Sequence, residues 1–184
     1  MTLELISLER YARQMILPEM GLEAQNKLKK AKVLVIGAGG IGSSVLLYLT
    51  GAGIGTIGVV DGDTVDRTNL HRQVLHSSED VGSLKVDSAK RRMNKLNDFV
   101  NVITFPTRIT KHNADEIVKD FDLVIDGSDN ALTRYLVNDI CVIQNVSRNA
   151  KKRQNFEFLS FSDFFEESAD QWSGCEVGWP ADCL

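Results

Sequence analysis

Residues 32–42 read KVLVIGAGGIG and join an apolar run directly to a turn of glycines. The apolar part has no polar alternation, which is typical of a strand buried on both faces of a parallel sheet. Gly37, Gly39 and Gly42 stand at GxGxxG spacing. In such a loop the first glycine permits a tight turn, the second a close approach of phosphate, and the third close packing of the next helix. The stretch therefore predicts a strand, a phosphate-binding loop and a helix.

An acidic residue follows the next apolar run, residues 56–60. Asp61 is placed to accept hydrogen bonds from ribose hydroxyls at the end of a second strand. The intervening helix, over residues 43–50, would direct its first amides at an anion. The glycine motif alone does not separate NAD, FAD, S-adenosylmethionine and ATP, so the rest of the chain must decide.

The composition indicates one α/β domain. The 184 residues are 43% hydrophobic and 25% charged, enough for a sizeable core. The net charge of −4 gives no basic field that would indicate nucleic acid or an anionic membrane as a partner. Without a signal peptide or a spanning apolar run, we expect a cytoplasmic protein. The three cysteines form no CxxC pair, so neither a disulfide framework nor a zinc site is expected.

Alternating periodicities predict the fold. Two helices over residues 7–30, interrupted at Pro18, precede the first strand. After the second strand we expect strands at 100–105 and 122–125 and helices at 83–96, 113–121 and 131–141. Strands that alternate with helices in this way predict a Rossmann-like, doubly wound parallel sheet with right-handed crossovers.

Two of these helices carry local signals. The apolar residues of helix 83–96, ending at Leu96, share one buried face, whereas the basic cluster 90–92 faces solvent. Asn113 and Glu116, three residues apart, are a capping signal for the next helix.

Two polar segments follow the predicted strands. The long loop over residues 62–82, with the helix start beyond it, carries side chains that contact phosphates. These are Asn69, Arg72, Gln73 and Lys85. The second segment, DGSDN at 126–130, holds Asp126 and Asp129. The two carboxylates either cap the following helix or hold Mg²⁺, which prefers oxygen ligands and nucleotide phosphates.

The chain resembles a known family in five linked strings. These are RYARQMILPEMG, GAGGIGSSVLLYLTGAGIG, VVDGDTVDRTNLHRQVLH, GSLKVDSAK and DLVIDGSDNALTRYLVND, in this order over residues 10–141. They resemble the ThiF/MoeB/Uba4 family of E1-like adenylyltransferases. The resemblance implies binding of ATP and Mg²⁺, and adenylation of the C-terminal Gly-Gly carboxylate of a ubiquitin-like β-grasp sulfur carrier with release of pyrophosphate.

The resemblance also implies roles for individual residues. Asp129 would hold the magnesium, and Arg13 would reach the phosphates of a neighbouring subunit in a homodimer. The implied catalytic residues are therefore Arg13, Arg72, Lys85 and Asp129. The implied nucleotide-binding residues are Gly37, Gly39, Gly40, Gly42, Asp61, Asn69, Arg72, Gln73, Lys85, Asp129 and Asn130. Because a carboxylate needs no general base, His71 and His76 are expected to hydrogen-bond within the loop.

The resemblance ends near residue 141. We therefore expect a partial ATP-binding adenylation domain over residues 1–141, followed by a divergent, poorly ordered tail, 142–184. The tail holds five of the eight phenylalanines and no legible strand–helix unit. The resemblance does not extend to the second half of the family's domain, with its zinc-binding CxxC pairs and the strands that receive the partner's tail. We therefore expect the chain to bind nucleotide but to adenylate slowly or not at all. The alternatives are a non-catalytic E1-like subunit that binds nucleotide or a partner, and an NAD-dependent oxidoreductase.

Overall fold

A four-stranded sheet lies at the centre of the computed structural model, which describes residues 5–18 and 20–144. All its strands are parallel, in the order β3-β2-β1-β4. They are β1 (Lys32–Ile36), β2 (Thr56–Val60), β3 (Asn101–Phe105) and β4 (Leu123–Asp126). The helices are α1 (Leu5–Met15), α2 (Gly21–Lys30), α3 (Gly40–Ala52), α4 (Lys85–Leu96), α5 (Ala114–Val118) and α6 (Ala131–Gln144). The predicted doubly wound α/β fold is confirmed.

The sheet separates two apolar cores because successive side chains of a strand point to opposite faces. Val35 of β1 joins the core that α3 and α4 cover, with Leu46 and Met93 among its members. Its neighbour Leu34 joins the core under α5 and α6, with Phe121. Each fully buried side chain of this size stabilises the fold by about 1.5–3 kcal/mol.

The strand order indicates where on the sheet a ligand would bind. The chain moves from β1 to β2 and β3 on one side, then crosses to β4 on the other side of β1. In doubly wound sheets, ligands bind at the carboxyl ends of the strands, at the point where the order reverses. That point lies between the loops after β1 and β4.

The N-terminal helices pack at the opposite end of the molecule. The Asn97 amide donates to the Tyr11 hydroxyl at 2.8 Å and to the carbonyl of Thr50 at 2.8 Å. Gln14 donates to the carbonyl of Ala52 at 3.0 Å. These contacts hold α1 against the C-terminal end of α3.

Two local predictions are wrong. Leu96 is 39% exposed, because the buried place at the end of α4 is taken by Asn97 with its two hydrogen bonds. Asn113 does not cap α5 with its side chain. Its oxygen accepts from the amide of Thr110 at 2.7 Å and its amide donates to the carbonyl of Arg108 at 3.0 Å, so it stabilises the turn before the helix.

Helix α6 continues to Gln144, so residues 142–144 of the predicted tail belong to it. The remainder of that tail, with its phenylalanines, lies outside the described residues. Within the described part of the chain, no helix combines the length and the apolarity needed to cross a membrane.

Candidate functional site

A cleft of about 770 Å³ lies at the carboxyl edge of the sheet. It brings together nine of the eleven residues implied in nucleotide binding: Gly37, Gly39, Gly40, Asp61, Arg72, Gln73, Lys85, Asp129 and Asn130. Gly42 and Asn69 lie outside its lining. The cleft therefore lies at the edge where ligands of parallel sheets bind.

The glycine loop forms the floor of the cleft. A Cβ atom on Gly42 would lie 1.8 Å from the carbonyl oxygen of Gly37, so only glycine permits this close approach of helix to loop. Gly37 itself has φ +91°, in the left-handed region that favours glycine. Helix α3 begins at Gly40 after Gly39, which offers no side-chain cap. The first amides of α3 are therefore available to an anion in the cleft.

Asp61 is fixed by the backbone around it. One carboxylate oxygen accepts from the amide of Ala38 in the glycine loop at 2.8 Å, and the other from the amide of Asp63 at 2.8 Å. Each oxygen keeps further acceptor capacity. The carboxylate is thus oriented to accept from ligand hydroxyl groups beside the phosphate loop.

An ion-pair network at one wall was not predicted from the sequence. The Nζ of Lys85, a residue only 6% exposed, lies 3.3 Å from Asp63, and the Arg108 guanidinium lies 2.9 Å from the other oxygen of the same carboxylate. The hydrogen bond from Arg108, helped by Lys85 and opposed by partial burial, holds the pKa of Asp63 below its usual range. Asp63 therefore stays ionised and fixes both cations at the cleft.

Arg108 and Arg134 are two basic cleft residues that the sequence analysis missed. Arg108 follows β3 at the same carboxyl edge, which is the signal that could have found it. Arg134 lies in the first turn of α6 and donates to the carbonyl of Ser128 at 3.0 Å. With them the cleft holds four basic side chains, Arg72, Lys85, Arg108 and Arg134, against three acidic ones, Asp61, Asp63 and Asp129. The cleft is thus basic in a chain whose net charge is −4.

The hydrogen bonds of the turn after β4 bear on the capping role that was left open for its aspartates. Asn130 accepts from the amide of Leu132 at 2.9 Å and so caps α6. Asp126 accepts instead from the amide of Ser128 at 2.8 Å. The capping alternative is therefore wrong for Asp126, and Asp129 remains exposed at the cleft.

The same turn fits a magnesium ion that arrives with phosphates. A second oxygen of Asp126 and the hydroxyl of Ser128 are buried without a hydrogen-bond partner among the described residues. Across residues 5–18 and 20–144, no three His, Cys, Asp or Glu side chains gather as a metal site. Mg²⁺ normally takes only one or two carboxylates when phosphates and waters complete its shell, and the two aspartates of this turn meet that requirement.

Besides Gly42, two implied residues lie apart from the cleft. Asn69 shapes the loop, since its carbonyl accepts from the amides of Arg72 and Gln73 at 3.1 and 3.0 Å. Arg13 is exposed on α1, which packs at the C-terminal end of α3. Helix α3 has 13 residues and is about 20 Å long at ~1.5 Å per residue, and its other end faces the cleft. Arg13 is therefore remote from the cleft of its own chain.

The predicted loop hydrogen bond is confirmed for His71, whereas His76 contacts groups outside the loop 62–82. His71 contacts the carbonyl of Thr68 at 2.9 Å and the Arg72 guanidinium at 3.2 Å. Because the carbonyl and the guanidinium fix its tautomer, His71 donates to the first and accepts from the second. His76 contacts Ser88 and the carbonyl of Ala38.

Comparison with known proteins finds similarity over the same part of the chain. A family model described as ThiF family matches residues 11–150. The chain is 57% identical, over 138 residues, to the adenylyltransferase and sulfurtransferase UBA4 of Meyerozyma guilliermondii, covering 74% of this chain and 32% of that protein. The chain thus spans about a third of the length of such curated relatives.

Two solved structures are similar as well. PaaA is 32% identical with a TM-score of 0.70, over 78% of this chain and 46% of that one. Escherichia coli MccB, in a crystal structure with ATP, is 36% identical with a TM-score of 0.62, over 66% of this chain and 36% of that one.

Proposed function

Because the chain belongs to the ThiF family, we propose that its cleft binds ATP with Mg²⁺ and that it activates a carboxylate by adenylation. The observation that carries this proposal is the convergence of a glycine loop, a helix N-terminus, Asp61 and four basic side chains on one cleft. A relative named as an adenylyltransferase and a neighbour solved with ATP support the same reading.

Each group has a role in that reaction. The amides at the start of α3 would contact phosphate, and Asp61 would accept from the ribose hydroxyls. An acceptor carboxylate attacks the α-phosphorus, the bond from this phosphorus to the bridging oxygen breaks, and pyrophosphate leaves. Arg72 and Lys85 would neutralise the charge that develops on the leaving group. Bound Mg²⁺, held by Asp129, would supply further neutralisation of the phosphates.

The acceptor that we propose is the C-terminal Gly-Gly carboxylate of a ubiquitin-like β-grasp sulfur carrier. The similarity to an adenylyltransferase and sulfurtransferase supports this choice. The acceptor carboxylate must be held about 3–3.5 Å from the α-phosphorus for fast reaction. The groups of the cleft that we assign a role all contact the nucleotide, and none of them is assigned to hold the acceptor. We therefore expect slow turnover by this chain.

ATP–pyrophosphate exchange tests this function. Label should pass from pyrophosphate into ATP only when a β-grasp protein with a free Gly-Gly end is present. The matched control is the same protein lacking its last two glycines. Equal exchange with both proteins would contradict the proposed acceptor.

The magnesium role gives a prediction for the DGSDN turn. Asp129→Ala should weaken Mg²⁺-dependent ATP binding about tenfold or more, because it removes a charged oxygen ligand from the metal. Asp126→Ala should mainly lower the melting temperature, because it loses the hydrogen bond to the amide of Ser128. Calorimetric titration with and without Mg²⁺ measures both variants. A larger loss of affinity for Asp126→Ala would move the metal to that residue.

The remote position of Arg13 gives a prediction for a homodimer. If Arg13 acts in the partner's cleft, Arg13→Ala and Lys85→Ala chains are each defective alone, but a mixed dimer contains one complete site. Pyrophosphate exchange by the mixture should then recover to about a quarter of wild type, since random mixing makes half of the dimers mixed and each has one site of two. A mixture no more active than either variant would show that Arg13 does not act in trans.

A further inference from the structure

His76 is a buried titratable residue that the proposed chemistry does not use. It is 6% exposed and lies outside the lining of the cleft. Its Nε2 lies 3.0 Å from the carbonyl oxygen of Ala38, and its Nδ1 lies 2.8 Å from the hydroxyl of Ser88. The imidazole therefore bridges the glycine loop and helix α4.

The two partners fix the state of this imidazole. A carbonyl can only accept, so Nε2 carries the proton and donates to Ala38, and Nδ1 accepts from the Ser88 hydroxyl. Burial lowers the pKa of His76 below 6.5, and the charge of Lys85 adds to the shift, whereas the Ala38 hydrogen bond and the carboxylates of Asp80 and Asp61 oppose it. The ring is thus neutral at neutral pH.

Ala38 is held from two sides. It stands between Gly37 and Gly39, its amide donates to Asp61 at 2.8 Å, and its carbonyl accepts from His76. Glycine-rich backbone has unusually many conformations in the absence of such contacts. The imidazole and the ribose-side carboxylate together define one conformation of the loop.

The other end of the bridge is equally well anchored. Ser88 lies three residues after Lys85 in α4 and is 1% exposed. The segment after His76 is fastened to the same helix, because Asp80 pairs with Arg91 at 2.7 Å and accepts from the amide of Ser77 at 2.9 Å. The bridge therefore relates the glycine loop to the helix that carries Lys85.

We propose that His76 is a positioning residue of the nucleotide site, holding the carbonyl of Ala38 so that the glycine loop and Lys85 keep the spacing a triphosphate requires. This inference rests on the proposed function for its ligand. Its physical basis is preorganisation: a loop already fixed in its binding conformation loses less conformational entropy when the ligand binds.

His76 could act through its hydrogen bond to Ala38 or through packing alone, and two substitutions at this position distinguish these roles. Glutamine can place its Nε2 where the imidazole places its own, so His76→Gln keeps the donor to Ala38. Leucine keeps apolar volume and removes the donor. We expect the Kd for ATP·Mg²⁺ to stay within about threefold in His76→Gln and to rise about tenfold in His76→Leu.

The matched control for lost stability is Val102→Ala. Val102 belongs to the core that α3 and α4 cover, but it lies in the amino half of β3 and outside the cleft lining. The Val102→Ala substitution should lower the melting temperature and leave the Kd for ATP·Mg²⁺ unchanged. Equal weakening of ATP binding in Val102→Ala and His76→Leu would overturn the proposal. So would a wild-type Kd in His76→Leu, or a His76→Gln variant as weak as His76→Leu.

Hydrogen exchange of the amides of residues 37–40, without nucleotide, tests the loop itself. These amides should exchange faster in His76→Leu than in wild type, His76→Gln or Val102→Ala. Should the leucine variant not fold, His76→Asn replaces it, since its shorter amide can meet Ser88 but not Ala38. Unchanged exchange would overturn the positioning role. If wild type binds no ATP but the exchange result holds, the proposed function fails and the loop contact stands.

Discussion

Replacing Gly42 by alanine is expected to lower the free energy of unfolding by about 3 kcal/mol or more and to remove ATP binding. The added Cβ would lie 1.8 Å from the oxygen and 2.8 Å from the carbon of the Gly37 carbonyl. Both are backbone atoms, and Gly37 is itself tied to Val60 by a hydrogen bond of 2.7 Å. Removing this clash would require the glycine loop and α3 to move apart. Because backbone atoms cannot rotate away as a side chain can, such overpacking is costly.

Gly51→Ala is the matched control for this change. Gly51 lies in the same helix, and a Cβ there would meet nothing within 4 Å. Alanine in place of a helical glycine should raise stability by about 0.5–1 kcal/mol. Urea denaturation of both variants measures the contrast. Similar stability for the two would contradict the packing of α3 on the loop.

Replacing Lys85 by methionine is expected to lower the affinity for ATP·Mg²⁺ about a hundredfold. The side chain of Lys85 is 8% exposed and its ammonium faces the cleft. A buried charge interacts with phosphate more strongly than one in water, and charge-assisted hydrogen bonds contribute about 1.5–3 kcal/mol each. Methionine retains most of the side-chain volume, so the substitution should reduce the affinity for ATP·Mg²⁺ more than the stability of the fold.

Lys90→Met supplies the comparison for the second prediction. Lys90 lies on the exposed face of the same helix α4, outside the cleft. Calorimetry should show wild-type affinity for Lys90→Met. Comparable weakening in both lysine variants would mean that general charge, rather than the position of Lys85, governs binding.

The fold could be predicted because its signals are local. The uninterrupted apolar runs set β1 and β2 almost to the residue, and the glycines locate α3, which begins three residues earlier and ends two residues later than predicted. The errors occur where another contact, local for Asn113 and distant for Asn97, overrides the expected one. Asn113 bonds the turn before its helix, and Leu96 yields the buried place to Asn97, whose partners Tyr11 and Thr50 come from elsewhere in the chain.

The site could be predicted only in part for the same reason. Strand ends place Gly37, Asp61 and Asp129 on one edge, and that follows from topology. Whether Arg108 faces that edge depends on Asp63, 45 positions earlier in the chain. Likewise, His76 meets Ala38 across 38 positions, and no spacing rule indicates such a contact.

Calorimetric titration of the 184-residue chain with ATP·Mg²⁺ and, separately, with NAD tests the central claim most directly. Four basic side chains in the cleft match a triphosphate with its metal better than a dinucleotide with two phosphates. We expect one ATP·Mg²⁺ per chain, bound more tightly than NAD and weakened by Lys85→Met. Tighter binding of NAD than of ATP·Mg²⁺ would contradict the account.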